Sequence, residues 1–109
     1  MKIQNVPFNI VDWDMIDPVE YPGETGTSFW RTQEVGNLRV RMVEYSPGYL
    51  ADHRCSRGHV LIVLVGELVT ELAGGAAHLM RAGMSFQVAD DGEPHRVFSG
   101  IGAKVFIVD

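Results

Sequence analysis

The chain has 109 residues, 46% of them hydrophobic and 21% charged, with a formal charge of −5. That length predicts one domain, residues 1–109, able to bury roughly two thirds of its unfolded surface without staples. The acidic balance excludes a nucleic-acid surface or an anionic-membrane surface, and the single cysteine excludes an internal disulfide. The start, MKIQNVPFNI, has no apolar core or small-residue cleavage site, so no signal peptide is read and a cytoplasmic protein is expected.

Residues 1–27 read as a mostly irregular arm. Val6 to Ile10 alternates briefly and suits an edge strand, where Pro7 need not donate to a ladder. Asp12 to Asp17 suits one helical turn, ended before Pro18. Tyr21 to Thr27 reads as a loop. The arm is expected to cover a sheet; exchange between subunits is the alternative.

From Ser28 the pattern is β throughout. Strands are expected over 28–35 and 38–45, joined by the two-residue turn Gly36-Asn37. In the second, Leu38, Val40 and Met42 share one face. Arg39, Arg41 and Val43 share the other, so one face is expected to be wet. A short strand follows over 50–55. The core strand is expected over 58–65; its six-residue apolar run Val60–Val65 suits burial on both faces and is far short of the about 20 residues a bilayer needs. Gly66-Glu67 is expected to turn into 68–72. Further strands are expected over 77–80, 84–88, 95–99 and 103–108. Eight or nine short strands with regular turn signals predict an all-β sandwich or barrel.

The chemistry concentrates in DHRCSRGHVLIVLVGE, residues 52–67. His53 and Cys55 are two apart and would share one face of a strand; His59 returns beside them after Ser56-Arg57-Gly58. His95 follows Pro94, which stiffens its approach. Imidazole with thiolate favours zinc, iron, nickel or copper over magnesium or calcium. His53, His59 and His95 alone would leave positions open for water or substrate; adding Cys55 would close a tetrahedral site. The alternatives are a satisfied polar role for His95 and a small-hydrophobe role for Cys55. Trp30, Arg41, Tyr45, Tyr49 and Gln87 are candidate cavity residues, with arginine suited to a substrate carboxylate. Asp52 and Arg54 should point away from the pair, Asp90 to Glu93 should be solvated, and His78 is read as surface.

These residues resemble the cupin family. His53-x-Cys55, three residues, His59, six residues and Gly66 follow the frame of the first cupin motif, with Gly48 four rather than five residues before His53. Cys55 stands at the second histidine of that motif and His59 at its glutamate. Gly83, Gly92, His95 and Ser99 follow the order of the second motif, with Ala89 at its proline and Ser99 at its asparagine. The frame spans residues 47–99. More narrowly, Asp52, His53 and Cys55 are similar to the small cupin-like proteins named for a D-H-C-W motif.

The resemblance implies a single-domain cupin jelly-roll barrel, a double-stranded β-helix. It implies metal ligands at His53, His59 and His95 with Cys55 as a fourth, and a divalent transition metal, zinc or iron first and nickel next. It implies a small-molecule ligand or substrate in the barrel, and a homodimer. The expected function is metal binding with undetermined activity, in an oxygenase, isomerase or lyase of small molecules. The alternative is a non-catalytic binding or sensing module with a structural metal or none.

Overall fold

A computed structural model describes residues 2–109. Nine strands follow one short 3-10 turn: β1 (Val19–Pro22), β2 (Thr27–Val35), β3 (Leu38–Tyr45), β4 (Tyr49–Leu50), β5 (His59–Leu72), β6 (Ala77–Arg81), β7 (Ser85–Val88), β8 (His95–Ser99) and β9 (Ala103–Val108). Every strand pairing is antiparallel. One sheet runs β1-β2-β3-β9-β5-β7 and the other β4-β8-β5-β6, so β5 belongs to both. The two curl toward each other as an all-β jelly-roll half-barrel. No helix among the described residues is long and apolar enough to cross a membrane.

β5 does what two expected strands were to do. Its first half pairs with β7 and β9, and its second with β6 and β8. Gly66 is therefore not a chain reversal. It lies beside a register shift between Val63 and Val65, at φ +80°, and lets one strand bend from sheet to sheet. A β-carbon there would collide with the carbonyl oxygen of Gly102, the residue just before β9.

The apolar run is buried on one face only. Leu61 and Val63 point into the core, at 1% and 0% exposure, while Val60, Leu64 and Val65 lie on the outside at 39–60%. The run lacks polar residues at its outward positions, so alternation could not be seen in it. The interior is built from the inward faces of both sheets: Val43 and Tyr45 of β3, Tyr49 of β4, Leu61, Val63 and Leu68 of β5, Met80 of β6, and Val105 and Ile107 of β9.

β3 corrects the expectation about its wet face. Arg41 shares the inward face with Val43 and Tyr45 and is 5% exposed. Val40 and Met42 face out. The alternation was right; the arginine does not mark the solvated side, because the barrel keeps polar work inside.

The arm is less irregular than expected. Trp13–Met15 forms the helical turn, begun by the Asp12 carboxylate accepting from the Asp14 N–H at 3.1 Å. β1, within the stretch read as irregular, pairs with β2 from Val19 opposite Trp30 to Pro22 opposite Thr27. Val6–Ile10 forms no strand, with Phe8 94% exposed. Trp13 packs edge-on against Phe106 of β9 at 6.2 Å, so the arm covers the outer face of its own sheet.

Candidate metal centre

Two strands and one pinned loop make the centre. His59 opens β5 in register with inward Leu61 and Val63, and His95 opens β8. Their rings are 9% and 3% exposed and stand perpendicular, 4.9 Å between centroids. Cys55 reaches them through an isolated bridge to His95. Cys55 donates its N–H to the His95 carbonyl at 2.6 Å, and His95 donates back at 3.0 Å. The loop is pinned from the other side by Asp90, whose Oδ1 accepts the Gly58 N–H at 2.7 Å, and by the Asp91 N–H on the Ser56 carbonyl. Asp90 is thus a fastener rather than part of a merely solvated run.

The ligand atoms of Cys55, His59 and His95 all lie within 4.8 Å of one another. The two Nε2 atoms are 3.1 Å apart. Ion–nitrogen distances of about 2.0–2.1 Å at a tetrahedral angle place two imidazole nitrogens about 3.3 Å apart, so the pair suits a shared cation. Proton placement points the same way. His95 Nδ1 lies 3.1 Å from the Glu93 carbonyl oxygen, so its proton belongs there and its Nε2 presents a lone pair. His59 Nδ1 is buried without a hydrogen-bond partner and faces the Asp109 carboxylate at 3.7 Å. With the His59 proton on that nitrogen, two lone pairs face each other across 3.1 Å, an arrangement a shared cation would occupy; with the proton on Nε2, the ring donates to His95 instead. Burial, with His95 and Arg41 adding to it, pushes the His59 pKa down to about 4, so the ring is neutral at pH 7, as a ligand must be. The Arg57 backbone N–H donates to Cys55 Sγ at 3.4 Å and orients the sulfur within the loop.

His53 is not brought into this group. Residues 52 and 53 form a bend, not a strand, so the two-residue spacing no longer places His53 beside Cys55. Its side chain is 78% exposed, with Nδ1 2.6 Å from Asp52 Oδ1. It stays on the rim of the same cavity. The short strand expected over 50–55 ends at Leu50.

That cavity, about 270 Å³, opens beside all three ligand-type side chains. Four of the five expected lining residues are in its wall: Trp30, Arg41, Tyr45 and Tyr49. Gln87 instead lines neighbouring recesses. Burial raises the pKa of the Tyr45 phenol above its usual value, so it keeps its proton. Phe86 packs against both imidazoles, tilted at 5.5 Å from His59 and edge-on at 5.4 Å from His95, and stands in the wall of an apolar recess with Met80 and Met84. Asp52 turns toward the cavity rim with His53, whereas Arg54 turns away to Glu71 at 2.8 Å.

Asp109 was not singled out from sequence, although it shares parity with inward Ala103, Val105 and Ile107. Its side chain is 2% exposed. Arg39 donates to both its oxygens at 2.8 and 2.9 Å, and Arg41 to Oδ2 at 3.0 Å. Burial alone would raise the Asp109 pKa. The Arg39 hydrogen bond and the charges of Arg41, Arg39 and Arg57 outweigh it and hold the carboxyl below its ordinary range. The unfolded chain therefore takes up a proton at higher pH than the folded one. The stabilisation is complete above the unfolded value and is lost as pH falls through the lowered one. Asp109→Asn should cost on the order of 2–4 kcal/mol at pH 7, because two mostly buried guanidiniums lose their counter-charge. Urea denaturation at pH 7 and pH 3 checks this: the gap between variant and wild type should shrink in acid, and a pH-independent gap would contradict it.

No protein-family profile matches this chain, and no curated protein does. Solved structures do. A sugar phosphate isomerase from a cupin superfamily, from Silicibacter pomeroyi, is 21% identical with a TM-score of 0.73, over 92% of this chain and 74% of its own. An RmlC-like cupin from Shewanella frigidimarina is 16% identical with a TM-score of 0.72, over 96% and 92%. The Fe(II) form of HppE is 17% identical with a TM-score of 0.74, over 93% of this chain and 59% of its own. With a shared β5 bridging two curled antiparallel sheets, and such structures superposing over nearly its whole length, this chain has the cupin fold.

Proposed function

We propose that this protein binds one divalent transition metal, zinc or iron, through Cys55, His59 and His95, and acts on a small molecule held in the adjoining cavity. The observation that carries the reading is the pair of imidazole nitrogens facing each other at 3.1 Å, with the Cys55 thiol in the same cluster. One thiolate and two neutral imidazoles are a donor set for zinc or iron rather than magnesium. The iron in the Fe(II) form of HppE is a precedent on the same fold.

Three ligands leave coordination positions open, and the cavity lies where they would open. A metal so held supplies Lewis acidity toward a substrate oxygen or a bound water. The chain's own residues do the rest. The Glu93 carbonyl sets the tautomer of His95, and the Asp109 carboxylate faces His59 Nδ1 at 3.7 Å. Tyr45 and Tyr49 present phenols to the cavity, and Arg41 a guanidinium. The Cys55–His95 backbone bridge keeps thiol and imidazole in register. Oxygenase, isomerase and lyase chemistry are all within reach of such a site.

Metal analysis by plasma mass spectrometry on untagged protein tests the reading. About one metal per chain is expected. Cobalt-loaded wild type should show a thiolate-to-metal charge-transfer band that Cys55→Ser abolishes. A chelating acid should then change the visible cobalt spectrum, as an open position requires. No metal in the wild type, even after reconstitution with zinc, iron and nickel, would end the proposal.

A further inference from the structure

We propose that the cavity takes a small organic acid, its carboxylate held by the Arg41 guanidinium beside the metal ligands. This deepens the functional reading and rests on it only for the second end of the ligand, the oxygen that would meet the metal. Arg39 already occupies both oxygens of Asp109, so Arg41 makes a single hydrogen bond there, through Nη2 at 3.0 Å. Its Nε is buried without any partner. Its side chain is 6% exposed, lies with its guanidinium carbon 4.5 Å over the Trp30 ring, and lines the cavity. A buried guanidinium held over an indole with a donor unspent suits a planar anion, and a carboxylate is the planar anion that matches its fork.

Charge agrees. Arg39, Arg41 and Arg57 converge within 3.6 Å on one carboxylate, Asp109, so this corner holds excess positive charge in a chain whose formal charge is −5. Across the cavity Arg96 is matched by Glu71 and Glu24, and Asp52 is 59% exposed at the rim beside His53. At about 270 Å³ the cavity is smaller than the roughly 300–1,000 Å³ of drug-sized pockets, which limits the ligand to a few carbons.

Isothermal titration calorimetry with pyruvate, acetate and pyruvamide tests this on zinc-loaded and on metal-free protein. Pyruvate should bind loaded wild type at least tenfold more tightly than pyruvamide, its neutral near-isostere. Acetate should bind the metal-free form weakly and in an Arg41-dependent way. Arg41→Gln should lose at least tenfold in pyruvate affinity while keeping its metal, and Arg41→Lys should recover part. The pyruvate-to-pyruvamide ratio needs no variant, so misfolding of Arg41→Gln would not spare the proposal. Equal affinity for the acid and the amide, undiminished binding by folded Arg41→Gln, or tighter binding of inorganic phosphate than of pyruvate would overturn it. Arg41-dependent acetate binding by protein that takes up no metal would sustain the carboxylate site and overturn the metal reading alone.

Discussion

His59→Ala and His95→Ala should each reduce bound metal from about one per chain to a small fraction, while His53→Ala leaves it unchanged. Structural zinc sites bind with roughly 10–16 kcal/mol shared by their ligands. About 3–4 kcal/mol per ligand is then lost with one imidazole, a fall of roughly 10²–10³ in affinity. The contrast with His53 rests on place. His59 and His95 are buried with their Nε2 atoms 3.1 Å apart, whereas the His53 ring is in solvent against Asp52. Competition with a colorimetric chelator measures all three. Metal lost from His53→Ala at the same level as from His59→Ala would mean that the rim closes over the ion as a fourth ligand, contrary to the three-ligand centre. In the two core variants, chelation should no longer lower the melting temperature, because stabilisation by a bound ion scales with its affinity.

The second large effect lies far from the site. Gly66→Ala should destabilise the protein by roughly 3 kcal/mol or more. A left-handed backbone costs an alanine about 1–2 kcal/mol. Beyond that, the new methyl would push against the Gly102 carbonyl and force β5 and β9 apart where β5 passes between sheets. Gly75→Ala is the matched control. It has φ +98° but nothing within 4 Å of the added β-carbon, so only the backbone strain of about 1–2 kcal/mol remains. Equal losses in the two variants, by urea denaturation, would mean that the contact with Gly102 yields freely. Because His59 heads the same strand, Gly66→Ala should also weaken metal retention, and Gly75→Ala should not.

The strands were readable because alternation and turn chemistry are local. Val35 opposite Leu38 across Gly36-Asn37, the limits of β8 and β9, and the hairpin at Gly74-Gly75 follow from residues within a few positions of each other. β1 was missed because its four residues are all exposed and Pro22-Gly23 signals a loop; pairing with β2 makes them a strand. β5 was cut in two for a related reason. A glycine at φ +80° is the same signal whether the chain turns back or bends onward, and the partner strand decides which.

The candidate centre divides likewise. Local sequence determined that ligand-type side chains cluster at the start of the core strand, and parity along β5 turned His59 inward with Leu61 and Val63. His95 stood apart from them in the sequence as a further candidate, and only the closing of the barrel and the Cys55–His95 bridge put it in contact. His53 failed because spacing yields a shared face only on a regular strand, and residues 52–53 bend. Arg41 was expected in the cavity as a residue type and yet on a face thought wet. Charge by itself does not report which side of a sheet becomes interior. That is decided when the sheet curls, and Arg41 can be buried because Asp109, 68 residues away, lies in the adjacent strand register to receive it. Periodicity, turns and ligand types were thus determined by the sequence itself. Which donors meet, which histidine stays outside, and which arginine faces the cavity depend on long-range strand pairing, and only the tertiary structure decided them.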